Sequence, residues 1–444
     1  MPSRLTLAAT VALAAAVAVA FSDSSIVVLA LPDLYVHFKT SIVGVSWVIT
    51  AYNVVVAVGA LALYPFAGRY PRAEAAAGLL LFLGASLGCG LAWNLPALFT
   101  FRCIQGFGAA LLLAGALPLL RSLTGTIHRG AAVWTTAGAV GVAIGPALGG
   151  VLTELFDWRA IFFMQAPVAG LGLTAVIHRH VRDLAPRRRP SLRLPANAAL
   201  LFLFGSIVGA LFLAVLLIVT VWQFSPIEGA LVVSALPIAG VGVQRLRLPF
   251  VRSVVSGAVL MSGGLLGLAL LPASSAAYAI PALALCGAGF GLAVPALSRA
   301  SVDELDLGRS AALSVGARHL GLVVGLAAIA PLIASTVESA GPKASLAATS
   351  SILDAHIPVL KKVPIAIALG REFESAQTGE IPDLGKPFED QGAGSDASVR
   401  TAEGQLLTAV RAPLTRSFRP GFAVAALLAA LAILPPLLFR RRAA

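Results

Sequence analysis

The chain has 444 residues, of which 58% are hydrophobic and only 12% are charged, and its mean hydropathy is +0.91. A soluble protein of this length exposes far more charge, so the composition excludes a soluble globular fold. The net charge of +12 would point to nucleic acid in a soluble protein, but here the basic residues lie between apolar runs. The composition therefore predicts a membrane protein without a nucleic-acid partner.

Apolar stretches long enough to cross a bilayer, about 20 residues each, recur along the chain. Only helices and closed barrels satisfy the backbone in lipid, and runs this uniformly apolar are helices rather than the alternating strands of a barrel. The sequence predicts twelve spans, at 5–34, 41–64, 73–93, 96–120, 129–153, 160–178, 196–222, 227–244, 253–272, 276–299, 309–335 and 420–439.

The basic residues between the spans predict the orientation of the chain. If the N-terminus is cytoplasmic, most arginines fall in inner links, whereas the short outer links contain only Lys39 and Arg159. This asymmetry follows the positive-inside rule and places both termini in the cytoplasm. The first apolar run continues past Asp23 to Leu34, which is too long for a signal-peptide core, so we expect it to be retained.

The longest inner link divides six spans from six. We expect an N-terminal half over 1–178, a basic cytoplasmic linker over 179–195 lying against the anionic leaflet, and a C-terminal half over 196–444. A mostly polar extracytoplasmic insertion, 336–419, separates the last two spans. Two interpretations of this insertion stay open, a helical hairpin and a mobile loop.

Glycines recur at steps of three and four in the fifth span, in GVAIGPALGG at 141–150. Such a stripe lets another helix backbone come very close, and a neighbouring helix can cover the weakness that an internal proline introduces. The stripe resembles the antiporter signature on the fifth helix of major facilitator exporters, and an ordinary tight helix crossing is the alternative. The residues that carry the resemblance to this signature are Gly141, Gly145, Pro146, Gly149 and Gly150.

Further segments, in order along the chain, resemble the drug:proton antiporter family of quaternary-ammonium and multidrug exporters. They are FSDSSIVVLALP at 21–32, WVITAY at 47–52, RCIQGFGAA at 102–110, WRAIF at 158–162, FSPIEGA at 224–230 and RHLG at 318–321. The resemblance covers nearly the whole chain except 336–419. It implies the major facilitator fold, an all-α membrane protein with twelve helices in two six-helix halves and a substrate site between the halves near the midplane.

The chain departs from the family pattern at two places. The loop between the second and third spans reads GRYPRAE at 68–74, so the family's aspartate is missing and the loop is shortened, which puts its role as a latch in doubt. Glu74 is a candidate substitute for that aspartate. Gln165 stands where the family usually has asparagine.

Ionisable side chains inside lipid are costly and are functional candidates. Asp23 is the predicted proton carrier, because a carboxylate removed from water favours its protonated form, whereas Arg102, if near, would favour the ionised form. Alternating access could change that distance and switch the proton affinity. The alternative is a static pair that only fixes helix packing. The remaining two candidates, Arg318 and His319, lie in the eleventh span.

Other residues are candidates for the substrate cavity or for gating. Arg318 either binds an anionic group of a substrate or bonds backbone carbonyls, and His319 either titrates near neutral pH or is a packed polar residue. Gln105 either hydrogen-bonds within the cavity or caps a partner helix. The aromatic candidates are Trp47, Tyr52 and Trp134; Trp47 and also Trp222 lie near span ends, which favours the interfacial aromatic belt for these two.

The sequence contains no phosphate-cradling loop, zincin motif or cysteine pair with metal-ligand spacing. We therefore expect neither an enzyme nor a cofactor or metal, and an ion gradient as the energy source. The first prediction is a proton-coupled exporter of hydrophobic or amphipathic compounds in the cell membrane. The alternatives are a lipid or glycolipid exporter that uses 336–419 and a non-transporting receptor or scaffold; an outer partner protein at 336–419 stays open. Asp23, the acid predicted inside the membrane in the first half, favours cationic cargo unless its role as proton carrier uses it.

Overall fold

The computed structural model describes residues 4–177, 192–246, 248–272, 274–303, 306–375, 386–390 and 397–440. Within these ranges the chain forms helices and no strand, and twelve helical segments are long and apolar enough to cross a membrane. The predicted all-α architecture with twelve spans is therefore confirmed. The predicted linker 179–195 lies largely outside the described residues.

The spanning segments correspond closely to the predicted apolar runs. They are Arg4–Val28, Ile42–Leu63, Pro71–Gly90, Leu95–Thr124, Ile127–Leu155, Arg159–Ile177, Leu194–Val221, Pro226–Arg245, Phe250–Ala269, Ala276–Ser301, Leu307–Asp354 and Ser398–Leu437. We call the end of the bundle where the first span begins the cytoplasmic end, following the charge asymmetry, and the opposite end the outer end.

The helices are labelled in chain order. They are α1 Arg4–Val28, α2 Leu31–His37, α3 Ile42–Leu63, α4 Pro71–Gly90, α5 Leu95–Thr124, α6 Ile127–Leu155, α7 Arg159–Ile177, α8 Leu194–Val215, α9 Pro226–Val233, α10 Ala235–Gly242, α11 Phe250–Ala269, α12 Ala276–Ser301, α13 Leu307–Asp354, α14 Val359–Ser375, α15 Lys386–Glu389, α16 Ala397–Ser417, α17 Arg419–Leu431 and α18 Leu434–Arg440.

Two predicted spans are interrupted. The first run, predicted as one helix to Leu34, ends at Val28, and α2 begins with Pro32 in its first turn, a position that suits proline because no N–H is needed there. The eighth span is made of α9 and α10, and its start carries a capping box in which Ser225 and Glu228 bond each other's backbone N–H.

The glycines of α6 bring it onto α1. A Cβ on Gly141 or Gly149 would overlap the carbonyl oxygen of Ala18 or Ile26, and a Cβ on Gly145 would overlap Ser25. The stripe therefore lies in a backbone-to-backbone crossing within the first half. Gly150, at the outer end, instead faces the second half.

The insertion 336–419 is mainly helical where it is described. The eleventh span, predicted to end at 335, continues as one helix to Asp354, because Ala344, Ala348 and Ile352 keep an apolar stripe that α16 covers. Of the two interpretations, these residues follow the helical hairpin; most of 378–398 lies outside the described residues. The belt interpretation of Trp222 is wrong, because α16 buries this ring and Thr415 accepts its indole hydrogen bond at 3.0 Å.

Candidate functional site

A bidentate ion pair joins α1 to α5 inside the first half. Arg102 Nη1 lies 2.8 Å from Asp23 Oδ1 and Arg102 Nη2 lies 2.6 Å from Asp23 Oδ2, and both side chains are 0% exposed. These residues are 79 positions apart. A buried pair of this geometry is stable only when further hydrogen bonds satisfy the remaining polar atoms.

Glutamines supply those further bonds and connect the pair to α4 and α7. Arg102 Nη1 also donates to Gln105 Oε1 at 2.7 Å, and Gln105 Nε2 donates to Ser86 at 2.8 Å and to Gln165 Oε1 at 2.7 Å. Gln165 Nε2 closes the ring by donating to Asp23 Oδ1 at 3.1 Å. Four helices of the first half therefore share one buried polar network.

Backbone and aromatic groups complete the surroundings of Arg102. Its Nε donates to the carbonyl of Val48 at 2.9 Å, and its guanidinium carbon lies 4.5 Å from the centroid of the Tyr52 ring and 5.7 Å from that of Phe162. Tyr52 in turn donates its hydroxyl to the carbonyl of Ala20 at 2.8 Å. Arg102 thus has several partners besides Asp23.

A second polar cluster crosses between the halves next to this network. Asn53 on α3 donates to Ser24 at 2.9 Å and to the carbonyl of Ile49 at 2.8 Å, and its Oδ1 lies 2.7 Å from Nδ1 of His319 on α13. The His319 ring stacks near Phe21 and contacts the edge of Tyr52. The contact between α3 and α13 therefore contains a buried hydrogen bond between Asn53 and His319. Asn53 also bonds Ser24, the residue that follows Asp23 in the chain.

Arg318 lies in an aromatic cage rather than beside an acid. Its guanidinium carbon is 5.4 Å from the Phe21 ring, 5.2 Å from the Trp134 ring and 5.4 Å from the Phe204 ring, and its Nη2 donates to Ser298 at 2.8 Å. The residue is 4% exposed. This cage draws on α1, α6, α8 and α13, so both halves build it.

A cavity of about 160 Å³ opens beside this cage. It lies between α6 of the first half and α10 and α12 of the second, and it reaches the cytoplasmic end, where Gln244 and Arg299 are exposed. Phe21, Phe204 and Arg318 form part of its wall. Most of the remaining wall is apolar, which suits a hydrophobic or amphipathic ligand.

The structure places the predicted site residues in different parts of the molecule. Asp23, Arg102, Gln105 and Tyr52 belong to the buried network and not to the cavity wall, whereas Arg318 is part of that wall. Trp134 is buried against Arg318 and Phe21. Trp47 is 48% exposed near the outer end of α3 and is not among the residues that line this cavity, so its role in the cavity or in gating stays a prediction; its exposure favours the belt interpretation.

Sequence reasoning gave no role to several polar residues of these clusters. Asn53, Ser86 and Ser24 are buried and hydrogen-bonded, and Gln165 was noted only as a departure from the family pattern. Uncharged amide side chains inside apolar runs are the signal that could have found Asn53 and Gln165, because a polar group in lipid needs a partner.

The loop between α3 and α4 contacts the second half despite its missing aspartate. Glu74 accepts from the backbone N–H of Gly68 at 2.8 Å and of Tyr70 at 3.2 Å, so it fixes its own loop. Gly68 has a φ of +75°, and a Cβ there would lie 2.8 Å from Cα of Gly308 at the start of α13. Arg309 donates to the carbonyl of Pro65 at 2.9 Å.

The halves also touch at the outer end. Glu154 at the end of α6 accepts from the backbone N–H of Ile227 at 2.6 Å, and a Cβ on Gly150 would lie 2.7 Å from the carbonyl oxygen of Pro226. Close by, burial and secondarily the charge of Asp157 raise the pKa of Asp33 above its ordinary value. The halves therefore touch at both ends, while the cavity stays open at the cytoplasmic end beside Gln244 and Arg299.

Two helical halves with a cavity between them are the arrangement of secondary transporters. Solved transporters share the fold. A bacterial homolog of the human lysosomal transporter Spinster, in an inward-facing and unoccupied conformation, is 14% identical with a TM-score of 0.65 and covers 98% of both chains. The xylose transporter XylE from E. coli, partially occluded and inward open, is 13% identical with a TM-score of 0.59, and the match covers 74% of this chain and 91% of XylE.

Residues 13–337 match the sequence model of the Major Facilitator Superfamily, and the chain belongs to this family. It is therefore a multi-pass membrane protein of a transporter family. Multidrug resistance protein Stp of Mycobacterium tuberculosis (strain CDC 1551 / Oshkosh) is 32% identical over 200 residues, which are 44% of this chain and 36% of Stp. The lincomycin resistance protein of Streptomyces lincolnensis is 35% identical over 193 residues, 41% of this chain and 39% of that protein.

The tetracenomycin C resistance and export protein of Streptomyces glaucescens is 30% identical over 158 residues, 35% of this chain and 29% of that protein. The matched stretches thus span less than two-fifths of these relatives. Their names agree with the resemblance to the drug:proton antiporter family. Membership of a transporter family also favours a transporter over the receptor or scaffold alternative.

Proposed function

We propose that this protein is a proton-coupled exporter of hydrophobic or amphipathic compounds that works by alternating access in the cell membrane. The observation that carries the proposal is the Asp23–Arg102 pair, which is fully buried and lies two residues from Phe21 in the cavity wall. The resistance and export functions in the names of three relatives support the direction of transport.

Protonation of Asp23 would loosen α1 from α5 and leave the Arg102 guanidinium with neutral partners only. An ionised Asp23 binds Arg102 through two contacts, and a protonated one loses the charge that holds them together. Arg102 would keep the carbonyls of Gln105 and Val48 and the face of Tyr52. These remaining partners lower the cost of the proton-loaded state, because a buried guanidinium without partners is strongly unfavourable.

Side-chain contacts connect this pair to the boundary between the halves. Tyr52 contacts both the Arg102 guanidinium and the His319 ring, and Ser24, the neighbour of Asp23, bonds Asn53, which bonds His319. A shift of α1 relative to α3 therefore strains the hydrogen bond between Asn53 and His319. In the proposed cycle a proton from outside loads Asp23 after cargo release, and rocking of the halves returns it to the cytoplasmic side.

An Asp23→Asn variant in reconstituted vesicles tests the proposal. We expect cargo accumulation against its gradient, driven by an imposed pH difference, to be lost, while cargo exchange at equal concentrations persists because it needs no proton. Asp157→Asn, at a half-exposed carboxylate of the outer end, is the matched control and should keep both activities. Proton-driven accumulation at the wild-type rate in Asp23→Asn would refute the proposed role.

The outer helices favour a second candidate, a lipid or glycolipid exporter. The outer end of α13, together with α14 and α16, extends the apolar core beyond the predicted bounds of the last two spans at 335 and 420, with Ile352, Leu369 and Leu406 buried in it. Deleting 340–412 should then abolish lipid export and leave dye efflux intact. Unchanged lipid export after this deletion would remove the candidate, together with the outer partner protein proposed for 336–419.

A further inference from the structure

Arg318 is a buried cation that the proton cycle does not use. It is 4% exposed, its Nε has no hydrogen-bond partner within the described ranges, and no acidic side chain pairs with it in that part of the chain. Ser298 is its hydrogen-bond acceptor. A buried charge without an opposite charge is unfavourable, so an anionic group beside the Arg318 guanidinium would stabilise it.

The aromatic cage holds the guanidinium in place but does not neutralise it. Phe21 and Trp134 come from the first half and Phe204 from the second, each with its ring centroid 5.2–5.4 Å from the guanidinium carbon. Aromatic faces attract a cation through their quadrupoles and carry no net charge. The positive charge therefore stays available to a ligand that enters between the halves.

The composition of the cavity wall also suits a ligand with a negative charge. Arg318 and Arg299 are both part of it, and none of its described lining residues is acidic. The rest of the wall is mainly apolar, from residues such as Leu236, Phe290 and Val294. Asp23, the acid that would have favoured cationic cargo, forms an ion pair with Arg102 and lies outside this wall.

From this arrangement we infer that the cavity binds an amphipathic anion, a carboxylate or phosphate on an apolar body, whose charge pairs with Arg318. The inference rests on the proposed function in that it takes this cavity as the cargo site. It replaces the cationic cargo favoured by the sequence with cargo of the opposite charge. A lipid with an anionic headgroup and a smaller organic acid share this chemistry.

Anionic cargo has an electrical consequence. Exporting one monovalent anion for each entering proton moves two charges in the direction favoured by a negative interior, whereas exporting a monovalent cation for one proton moves none. Each charge contributes a factor of about 50 in the accumulation ratio per 100 mV. Anion export should therefore respond strongly to an imposed membrane potential.

Equilibrium binding without any gradient tests the inference independently of proton coupling. The probes are radiolabelled 4-butylbenzoate and 4-butylbenzylammonium, which have similar shape and opposite charge, applied to the full chain in nanodiscs of neutral lipid. We expect the wild type to bind the anion at least tenfold more tightly. Arg318→Gln should abolish this preference, and Arg318→Lys should retain a large part of it.

Arg252→Gln, an exposed cytoplasmic-end arginine outside the cavity wall, is the control and should bind like the wild type. Equal binding of both probes by the wild type, or an unchanged preference in a folded Arg318→Gln, would overturn the inference; the first comparison holds even if the variant does not fold. Displacement of 4-butylbenzoate by lysophosphatidate identifies a lipid source, and displacement by organic acids alone identifies a smaller one. Failure of the Asp23→Asn test would leave this binding result untouched.

Discussion

Breaking the Asp23–Arg102 pair from either side should destabilise the protein more than removing both charges together. Arg102→Met leaves a carboxylate that is 0% exposed, with the amide of Gln165 at 3.1 Å as its remaining side-chain hydrogen bond in the described network. Asp23→Asn leaves the guanidinium with partners that carry no full negative charge. The double variant leaves neither charge buried.

The expected size follows from the burial of the pair. Removing one partner of a buried ion pair costs about 3–5 kcal/mol, because the other charge is left uncompensated. We expect Arg102→Met to fall in this range. Asp23→Asn should cost less, because Gln105, Val48 and Tyr52 still hold Arg102. The coupling free energy between the two positions should then be about 2–3 kcal/mol.

Denaturation in mixed micelles, with unfolding followed by tryptophan fluorescence, measures the four variants of this cycle. The control cycle uses Asp157 and Arg159, whose charged atoms are 3.7 Å apart and whose side chains are 51% and 31% exposed. An exposed pair of this kind contributes about 0–1 kcal/mol. A coupling between Asp23 and Arg102 no larger than that of the control pair would refute the reasoning that burial makes this pair strong.

Two further predictions concern helix packing and pH. Gly149→Ala should lower the free energy of unfolding, because the added Cβ would overlap the carbonyl of Ile26. Gly84→Ala, in a helix with open space around this position, should be neutral or slightly stabilising. The same denaturation assay compares the two variants, and equal effects would contradict the packing argument. Because burial raises the pKa of Asp33, the free energy of unfolding falls as the pH rises and this carboxyl ionises in the folded protein. Asp33→Asn should therefore stabilise the protein at pH 7 and have no effect below about pH 4, where Asp33 is protonated in both states. Unfolding midpoints measured across this pH range check the sign, and a destabilised variant at pH 7 would contradict it.

The amino-acid sequence by itself determined the twelve spans and the family. Helix formation in lipid depends on the local apolar run, so the span positions could be read directly, with small errors at breaks such as the one before Pro32. The same local reading ended the eleventh span at 335 and left two interpretations of the residues that follow, a helical hairpin and a mobile loop. There the buried stripe of α13 depends on α16, which lies far away along the chain.

The partners of the polar residues were decided by the tertiary structure alone. Asp23 and Arg102 were both candidates in the sequence, but whether they touch depends on the rotation of α1 and α5 about their own axes. Likewise, Arg318 and His319 are neighbours in the chain, yet one lines the cavity and the other bonds Asn53 across the halves. Hydrophobicity puts a helix in the membrane, and only the packing of all the helices sets which polar groups meet inside it.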